Sequence, residues 1–426
     1  MGLLSIRSFS MRHPLISLAI GSAVFGALVT AVRAVPSAGP DRAWTVAIEP
    51  VASPAGNGSS APQLTAEGDR IMLSWMERSG SDATLKFAER TPAGWSAPRT
   101  VTSGHGVVVN AADVPSVRAL AGGTLVAHWM EEDGPDPEAY NLRLAWSKDG
   151  GTTWSKPASP HHDGTKTQHG FASLFQAPGA GLGLVWLDGR ATNPDSPTAT
   201  DNMSLRASSY TTDGKQLRET AIDTRVCDCC PTSVAITADG PIVVYRDRSS
   251  KEVRDISISR LVAGRWTAPV PVHRDNWTIE ACPVNGPAVS AHDRDVVVAW
   301  FTAVHEEGTA WIAFSHDAGR TFTAPVRVDD AVSTGHVDVE LLKDGTAIVS
   351  WIEFANERSQ HKIRRIDPSG ARSVAVPVTG PGEGRVAGIP RTAMGRDELV
   401  LAWTETADGA SRIRTARASI PAGPLK

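Results

Sequence analysis

The sequence has little of what marks a helical, basic or disulfide-rich protein. Among 426 residues there are only four cysteines and three tyrosines, and no segment sustains the hydrophobic period of an amphipathic helix. The formal net charge is −4, without a dense basic patch, which argues against nucleic-acid binding. The 38 glycines, 29 prolines and 13 tryptophans fit instead a chain of many short strands joined by tight turns.

The first 34 residues differ in kind from the rest. Arg7, Arg12 and His13 precede an apolar run over 15–32, and the small residues Val32 and Ala34 suit a cleavage site. We interpret residues 1–34 as a secretory signal peptide, because this apolar run is short for a transmembrane helix. An uncleaved membrane anchor is the alternative. Residues 35–426 are then expected to form one exported domain, periplasmic or secreted.

A short run of β-forming residues that ends in an aromatic residue recurs seven times. The aromatic positions lie 51 to 59 residues apart: Trp75, Trp129, Trp186, Tyr245, Trp300, Trp351 and Trp403. A period of about 50 residues is typical of repeat architectures, in which each unit stacks on its neighbours to bury its apolar face. We therefore predict an all-β protein, a β-propeller of seven four-stranded blades, with six blades as the alternative.

The last repeat lacks its fourth strand, and this indicates how the ring closes. The segment 43–50 near the N terminus looks like a fourth strand without a blade of its own. Pairing it with the C-terminal blade removes two sheet edges that would otherwise invite aggregation. A closed ring needs no partner to cover its edges, so we expect a monomer.

Several polar residues fall where the loops of a propeller converge on the mouth of its central channel. Asp188 and Arg190 occupy positions equivalent to Asp247 and Arg248 of the next blade, and Arg391 begins the inner strand of the last blade. Arginines so placed are predicted to bind an anion such as an acidic sugar. The alternative is that each arginine forms a structural ion pair with its neighbouring aspartate.

Two more residues begin inner strands beside the channel. Asp113 is the candidate general acid, and Asn285 is a candidate ligand-binding residue.

All four cysteines lie in two places. Cys227, Cys229 and Cys230 share one loop, while Cys282 is distant; Cys230 and Cys282 are each followed by proline and begin the inner strands of neighbouring blades. We predict a disulfide from the 227–230 loop to Cys282, the other pair closing within the loop as Cys227–Cys230 or Cys229–Cys230. A thiolate site for a soft metal ion is the rival interpretation.

Histidines form a second cluster. The loop that enters blade three contains His161, His162, Asp163 and His169, the loop that enters blade two contains His105, and His336 begins the inner strand of blade six. Such a set can bind a metal ion or act as acid and base, His169 and His336 being the best pair. The cofactor is therefore unknown, with a metal ion as the candidate.

Two segments share a sharper motif. Residues 147–154 and 315–322 both fit S-x-D-x-G-x-T-W/F and lie at the turn between the third and fourth strands of a blade. They resemble the Asp-box of sialidases and related bacterial-neuraminidase-repeat propellers. The resemblance implies a propeller, with the Asp-boxes on the face away from the ligand site. If the protein is an enzyme, the resemblance implies an exo-α-sialidase-like glycoside hydrolase.

The chain also departs from the sialidases. Their six blades, their Phe/Tyr-Arg-Ile-Pro motif and their Tyr/Glu nucleophile pair are not recognisable, and Tyr245 occupies a core position. The first hypothesis is an exported sialidase-like propeller that binds, and possibly hydrolyses, an anionic glycan at the channel mouth. The alternatives are a metal-binding or redox-linked protein that uses the Cys/His cluster, and a non-catalytic protein-binding scaffold.

Overall fold

A computed structural model describes residues 41–177, 179, 181–192, 202–355, 357–379, 385–420 and 423. The interpretation of residues 1–34 as a signal peptide lies outside the described residues. Within the described ranges, no helix is long and apolar enough to cross a membrane.

The chain forms a β-propeller of seven blades, as the repeat predicts. The N-terminal strand and the strands of blades 1 to 4 are β1 (Ile48–Val51); β2 (Ser59–Glu67), β3 (Arg70–Ser79), β4 (Asp82–Thr91), β5 (Gly94–Trp95) and β6 (Arg99–Gly104); β7 (Ser116–Ala119), β8 (Leu125–Glu132) and β9 (Tyr140–Ser147); β10 (His169–Gln176), β11 (Leu182–Asp188), β12 (Met203–Tyr210) and β13 (Gln216–Val226); β14 (Ser233–Thr237), β15 (Gly240–Arg246), β16 (Ile256–Val262), β17 (Arg265–Trp266) and β18 (Val270–Pro271).

The strands of blades 5 to 7 are β19 (Ala288–His292), β20 (Asp295–Thr302), β21 (Thr309–Ser315) and β22 (Val326–Arg327); β23 (Val332–Leu341), β24 (Ala347–Ala355), β25 (Arg358–Ile366) and β26 (Val376–Pro377); β27 (Arg385–Met394), β28 (Glu398–Ala407) and β29 (Ala410–Ser419). A single 3-10 turn, Val304–Glu306, follows β20. In blade 2 the fourth strand is reduced to a bridge between Leu144 and Ala158.

The ring closes through the N-terminal strand. β1 pairs antiparallel with β29, from Ile48 opposite Ala418 to Val51 opposite Thr415, and completes the blade of β27, β28 and β29. The strand is shorter than the predicted segment 43–50, because Arg42 first bonds to the backbone of blade 6 at Arg372 and Val374. Closure by an N-terminal strand is confirmed.

The core is divided into seven apolar clusters, each between two adjacent blades. One cluster joins blades 1 and 2 around Phe87 and Trp129, and another joins blades 7 and 1 around Trp75 and Val400. Each strand therefore buries one face against the preceding blade and the other against the following blade, which explains why a single repeat cannot fold alone. The seven aromatic residues of the repeat are all buried.

Four of the inner strands carry a bulge with a left-handed residue near the face where they begin. These residues are Ala61 in β2 (φ 54°), Phe171 in β10 (52°), His336 in β23 (53°) and Gly388 in β27 (67°). A bulge of this kind turns a backbone N–H away from its own sheet. That group must then find an acceptor in the neighbouring blade.

The two predicted S-x-D-x-G-x-T turns share one hydrogen-bond pattern. The carboxylate of Asp149 accepts the N–H of Thr152 (3.1 Å) and of Thr153 (2.9 Å), while the Ser147 hydroxyl accepts the N–H of Gly151 (2.8 Å). Asp317 and Ser315 repeat these contacts in blade 5. The motif therefore builds a local turn.

Candidate functional site

Strand ends on one face of the ring carry a repeated structural module in blades 1, 2 and 6. A tryptophan in the second strand donates its Nε1 hydrogen to a glutamate two residues later in the same strand, at 2.7, 2.9 and 3.0 Å. Each glutamate also binds a cation from the third strand, opposite the tryptophan: the pairs are Glu77–Lys86, Glu131–Arg143 and Glu353–Lys362. In these blades the acidic position is structural.

Blade 3 departs from this module at Asp188. Trp186 still donates to Asp188 (2.8 Å), but the shorter carboxylate is bound by Arg190 through Nε at 2.6 Å. Arg190 also lies 2.8 Å from Glu219 and 3.5 Å from Asp163. Three carboxylates thus surround Arg190, as expected if it forms a structural ion pair with Asp188.

Blade 4 departs further. Arg248 binds Glu252 (2.9 Å), while Asp247 accepts the N–H of Arg248 (2.7 Å) and the hydroxyl of Ser257 (2.9 Å). Burial, followed by repulsion from Asp223, raises the pKa of Asp247. Arg190 and Arg248 are each bound to acids of their own blade, so anion binding by them stays a prediction.

The candidate acid Asp113 is fully buried between blades 2 and 3. Its carboxylate accepts the N–H of the left-handed residue Phe171 (2.7 Å) and the hydroxyl of Tyr140 (2.9 Å). Burial raises the pKa of Asp113 to about 7, against the effect of these two hydrogen bonds. A Cβ on Gly170 would lie 1.9 Å from the carboxylate, so glycine is required there.

Asn285 does the same for blade 6. Its side-chain oxygen accepts the N–H of His336 (2.7 Å), and its amide donates to Thr334 (3.3 Å). Asp113 and Asn285 therefore satisfy the N–H groups that the bulges turn out of their sheets. Sequence alone did not indicate this role, because the bulges leave no motif.

The pairing of His169 with His336 stays a prediction. Among the described residues, His169 forms a group of potential metal ligands with His161 and Asp163. Burial lowers the pKa of His161 to about 4, and the neighbouring His169 adds to the effect. His336 lies instead near Arg391, and burial with that positive charge lowers the pKa of His336 to about 4.

The 227–230 loop and Cys282 form a cluster of four sulfurs. Cys229 is bonded to Cys282 with Cα atoms 6.0 Å apart, which confirms the predicted link between the 227–230 loop and Cys282. Cys227 and Cys230 are buried thiols whose sulfurs lie 3.2 Å apart, and the Cys227 sulfur is 3.8 Å from that of Cys229. The second disulfide predicted within the loop is not formed in the structure, because Cys229 is bonded to Cys282 and both Cys227 and Cys230 are free thiols.

The charge around Cys227 favours its thiolate. Arg254 donates to the Cys227 sulfur (3.3 Å). The hydrogen bond between Cys227 and Cys230 lowers the pKa of Cys227 most, burial opposes it, and the Cys229 N–H and the charges of Arg246 and Arg254 lower the pKa further. Burial raises the pKa of Cys230, the second thiol of the pair. The sequence did not single out Arg254, which lies in the loop between β15 and β16 of blade 4.

The rigid partner of this loop is Arg246. Its guanidinium donates to three backbone carbonyls, of Asn285 (2.9 Å), Arg254 (2.7 Å) and Phe301 (2.8 Å), and lies 5.0 Å from the ring centre of Trp277. Arg246 therefore ties blades 4 and 5 together beneath the cysteines.

The central channel is a third candidate site. A cavity of about 370 Å³ is lined by the inner strands, with Arg391, Asp338 and Glu340 among its polar residues. Burial, with the charge of Asp338, raises the pKa of Glu340 to about 8. The Nε of Arg391 is buried without a hydrogen-bond partner.

No family model matches the sequence, and no curated protein matches it. Solved structures share the fold: the polysaccharide lyase Uly1 is 10% identical with a TM-score of 0.52, covering 85% of this chain and 90% of the lyase. A mutant of NanB sialidase from Streptococcus pneumoniae is 8% identical (TM-score 0.47; 88% and 94% covered). The phage phi92 endosialidase is 11% identical (TM-score 0.46; 89% and 70% covered). The lyase similarity supports the propeller fold.

Proposed function

We propose that the protein is a thiol–disulfide exchange protein whose site is the loop 227–230 with Cys282. The observation that carries the proposal is a chain of sulfurs that leads from the interior to the surface. The buried Cys227 lies 3.2 Å from Cys230 and 3.8 Å from Cys229, which is bonded to the exposed Cys282. Such a chain can pass a disulfide between a buried and an exposed pair.

The first exchange step begins with the thiolate of Cys227. It attacks the sulfur of Cys229, so that a Cys227–Cys229 bond forms, the Cys229–Cys282 bond breaks, and Cys282 leaves as a thiolate that takes a proton from solvent. Arg254 and Arg246 favour the attacking thiolate at neutral pH.

The second step transfers the disulfide to the buried pair. Cys230 attacks the sulfur of Cys227 as its proton passes to the departing sulfur of Cys229, so that Cys227–Cys230 forms, Cys227–Cys229 breaks and Cys229 is left as a thiol. No electrons are gained or lost within the protein during the two steps. External thiols or disulfides exchange at Cys282, the one member of the set whose side chain is exposed among these four described cysteines.

An exported protein would keep such a pair oxidised. Disulfides persist in the periplasm and outside the cell, and the proposed signal peptide 1–34 would send the chain there. The proposal therefore includes a periplasmic or secreted location.

The test is to trap the intermediates. Native protein is treated with an alkylating agent at neutral pH, denatured, and mapped by mass spectrometry. The wild type should accumulate the Cys227–Cys230 disulfide with label on Cys229 and Cys282. The C230S variant should stop at Cys227–Cys229, with label on Cys282 alone.

The matched control is C227S, which keeps Cys229–Cys282 and removes only the attacking sulfur. It should leave Cys282 unlabelled under the same conditions. An unlabelled Cys282 in the wild type and in C230S, with Cys229–Cys282 as the lasting disulfide, would show that the cysteines are purely structural.

A second candidate function is the binding of an anionic glycan in the channel. The observation that favours it is the buried Nε of Arg391, which has no hydrogen-bond partner and faces a polar cavity. Uly1, which shares the fold, is a polysaccharide lyase. In this proposal Arg391 binds a sugar carboxylate, while Arg190 and Arg248 hold the surrounding loops through their acids.

Equilibrium dialysis with sialic acid and with glucuronic acid tests this second function. Arg391→Gln should abolish binding, while Arg118→Gln, which changes another channel arginine, should weaken it less. Equal binding by the wild type and Arg391→Gln would reject the channel as the glycan site.

A further inference from the structure

The loop that leads into blade 3 holds two histidines and an aspartate in an unusual arrangement. The rings of His161 and His169 are stacked with centres 3.7 Å apart and planes within 1° of parallel. Asp163 lies between their nitrogens, 3.2 Å from Nδ1 of His161 and 3.3 Å from Nε2 of His169, both measured to Oδ2. The three side chains are 5%, 9% and 0% exposed for His161, Asp163 and His169.

Close as they are, these atoms do not form hydrogen bonds. Oδ2 of Asp163 and Nε2 of His169 are buried without a hydrogen-bond partner, because the contacts between them lack hydrogen-bond geometry. Buried polar atoms are nearly always satisfied in folded proteins. A further group that binds both of these atoms, which lie 3.3 Å apart, would satisfy them together.

The protonation of His169 is fixed by its other nitrogen. Nδ1 lies 3.0 Å from the carbonyl oxygen of Thr167, which can only accept a hydrogen bond, so Nδ1 carries the hydrogen. In that tautomer the lone pair is on Nε2, 3.3 Å from Oδ2 of Asp163 but not aimed at it, so the ring must turn out of the stack for Nε2 to bind an ion beside Asp163. Metal-binding histidines are held in this way, with one nitrogen donating to a backbone carbonyl and the other free to ligate.

The distances fit a common cation. Zinc binds histidine nitrogen and carboxylate oxygen at about 2.0–2.2 Å, which places two tetrahedral ligands about 3.3–3.5 Å apart. The separations of 3.2 and 3.3 Å match this value. A proton shared between Asp163 and His169 would instead require a hydrogen bond with ordinary geometry.

The charges beside the site are paired. Arg190, 3.5 Å from Oδ2 of Asp163, is itself held by Asp188 and Glu219, which offset its charge. Asp188 is 3.9 Å from Nε2 of His169, but Trp186 and Arg190 already occupy its oxygens, so it positions the site without binding the ion.

We propose that His161, Asp163 and His169 form a binding site for a first-row divalent cation such as Zn²⁺. Two nitrogens and one carboxylate oxygen leave at least one coordination position for water or a ligand. The site is separate from the cysteine loop, and neither proposal depends on the other.

The test is binding of Zn²⁺ to the full mature protein with the Cys229–Cys282 disulfide intact. Dialysis followed by elemental analysis should find one zinc per chain. His169→Gln and Asp163→Asn should each weaken binding at least 100-fold, which is the effect of losing one of three ligands. His105→Gln, an exposed histidine of another loop, is the matched control and should bind zinc as the wild type does.

The thiols are excluded by a second variant and a second ion. C227S should keep full zinc binding, and Co²⁺ in the wild type should give a visible spectrum without a thiolate charge-transfer band. Loss of binding in C227S, unchanged binding in both ligand variants, or no zinc in the wild type would each overturn the site. If His169→Gln fails to fold, Asp163→Asn and the cobalt spectrum decide.

Discussion

Blades 1, 2 and 6 and blades 3 and 4 use the same strand position in different ways. In the first group, a glutamate two residues after the tryptophan binds that tryptophan and a third-strand cation, as Glu353 binds Trp351 and Lys362. In blade 3 the glutamate is replaced by Asp188, and the cation opposite Trp186, Arg206, binds Glu219 instead. In blade 4 the tryptophan itself is replaced by Tyr245.

The difference teaches where to look in a repeat protein. A position that forms the same ion pair in several blades stabilises the repeat, whereas a blade that abandons the pair is free to carry a site. The His161–Asp163–His169 cluster adjoins blade 3, and the cysteine loop connects blades 3 and 4. The two candidate sites therefore lie where the repeat is broken, beside a scaffold that keeps it.

The largest effect should come from the scaffold side. Deleting residues 41–51 removes β1 and the buried Trp44 and exposes the edge of β29, so the free energy of unfolding should fall by more than any substitution below. Denaturant unfolding followed by tryptophan fluorescence measures it. Glu49→Ala is the control: it removes the exposed Glu49–Arg417 pair and should cost less than about 1 kcal/mol. Equal stability of the deletion and the control would contradict closure as the source of stability.

The second largest loss of stability should come from breaking the tryptophan–glutamate–cation module of blade 6. Glu353→Gln leaves the half-buried Lys362 without its partner, so we expect a loss of about 3 kcal/mol in unfolding free energy. Zinc binding and thiol exchange should stay unchanged, because neither proposed site includes a residue of blade 6. A variant with intact stability and altered site chemistry would reverse the comparison between the two groups of blades.

Substitutions of Asp113 distinguish a structural role of this residue from a catalytic one. Asp113→Ala leaves the N–H of Phe171 unpaired and should cost about 1–3 kcal/mol, whereas Asp113→Asn retains an acceptor and should cost less. Because the pKa of Asp113 is raised to about 7, the folded protein holds this proton more tightly than the unfolded chain does. Wild-type stability should therefore fall, relative to Asp113→Asn, as pH rises from about 4 to about 7. A general acid would instead make Asp113→Asn inactive at unchanged stability.

The smallest effect on stability should come from the site side. Cys227→Ser exchanges one buried thiol for a hydroxyl of similar size and should change unfolding free energy by about 1 kcal/mol or less. The thiolate absorbance that reduced wild type keeps at neutral pH, because the pKa of Cys227 is lowered, should disappear in this variant. The same absorbance in Cys230→Ser would show that Cys227 is the ionised member. Thiolate absorbance that survives Cys227→Ser would assign the charge to another cysteine.

The fold could be predicted from the sequence because it is periodic. The spacing of Trp75, Trp129 and the later aromatic residues marks each blade, and the missing last strand indicates the closure. The link of Cys282 to the 227–230 loop was also predictable, since both begin neighbouring inner strands. Each of these features can be recognised within one repeat or within two neighbouring repeats.

The site could be predicted only in part, because its side chains meet through non-periodic structure. Asp113 and Asn285 have the positions of ligand-binding residues, yet bulges at Phe171 and His336 recruit them as hydrogen-bond acceptors. His169 was recognised, and the residues that join it in a group of potential ligands are His161 and Asp163 of its own loop. Loop conformation, which decides these contacts, has no repeat to reveal it.

The pairing of β1 with β29 also sets the order in which the protein is completed. Ile48 is synthesised early, but its partner Ala418 emerges only after six other blades have been made. Blades 1 to 6 can form while the chain is still growing, whereas the ring stays open until the final strand arrives. A shortened chain that lacks β29 would keep two unpaired edges, so ring closure acts as a check that every blade is present before the molecule becomes stable.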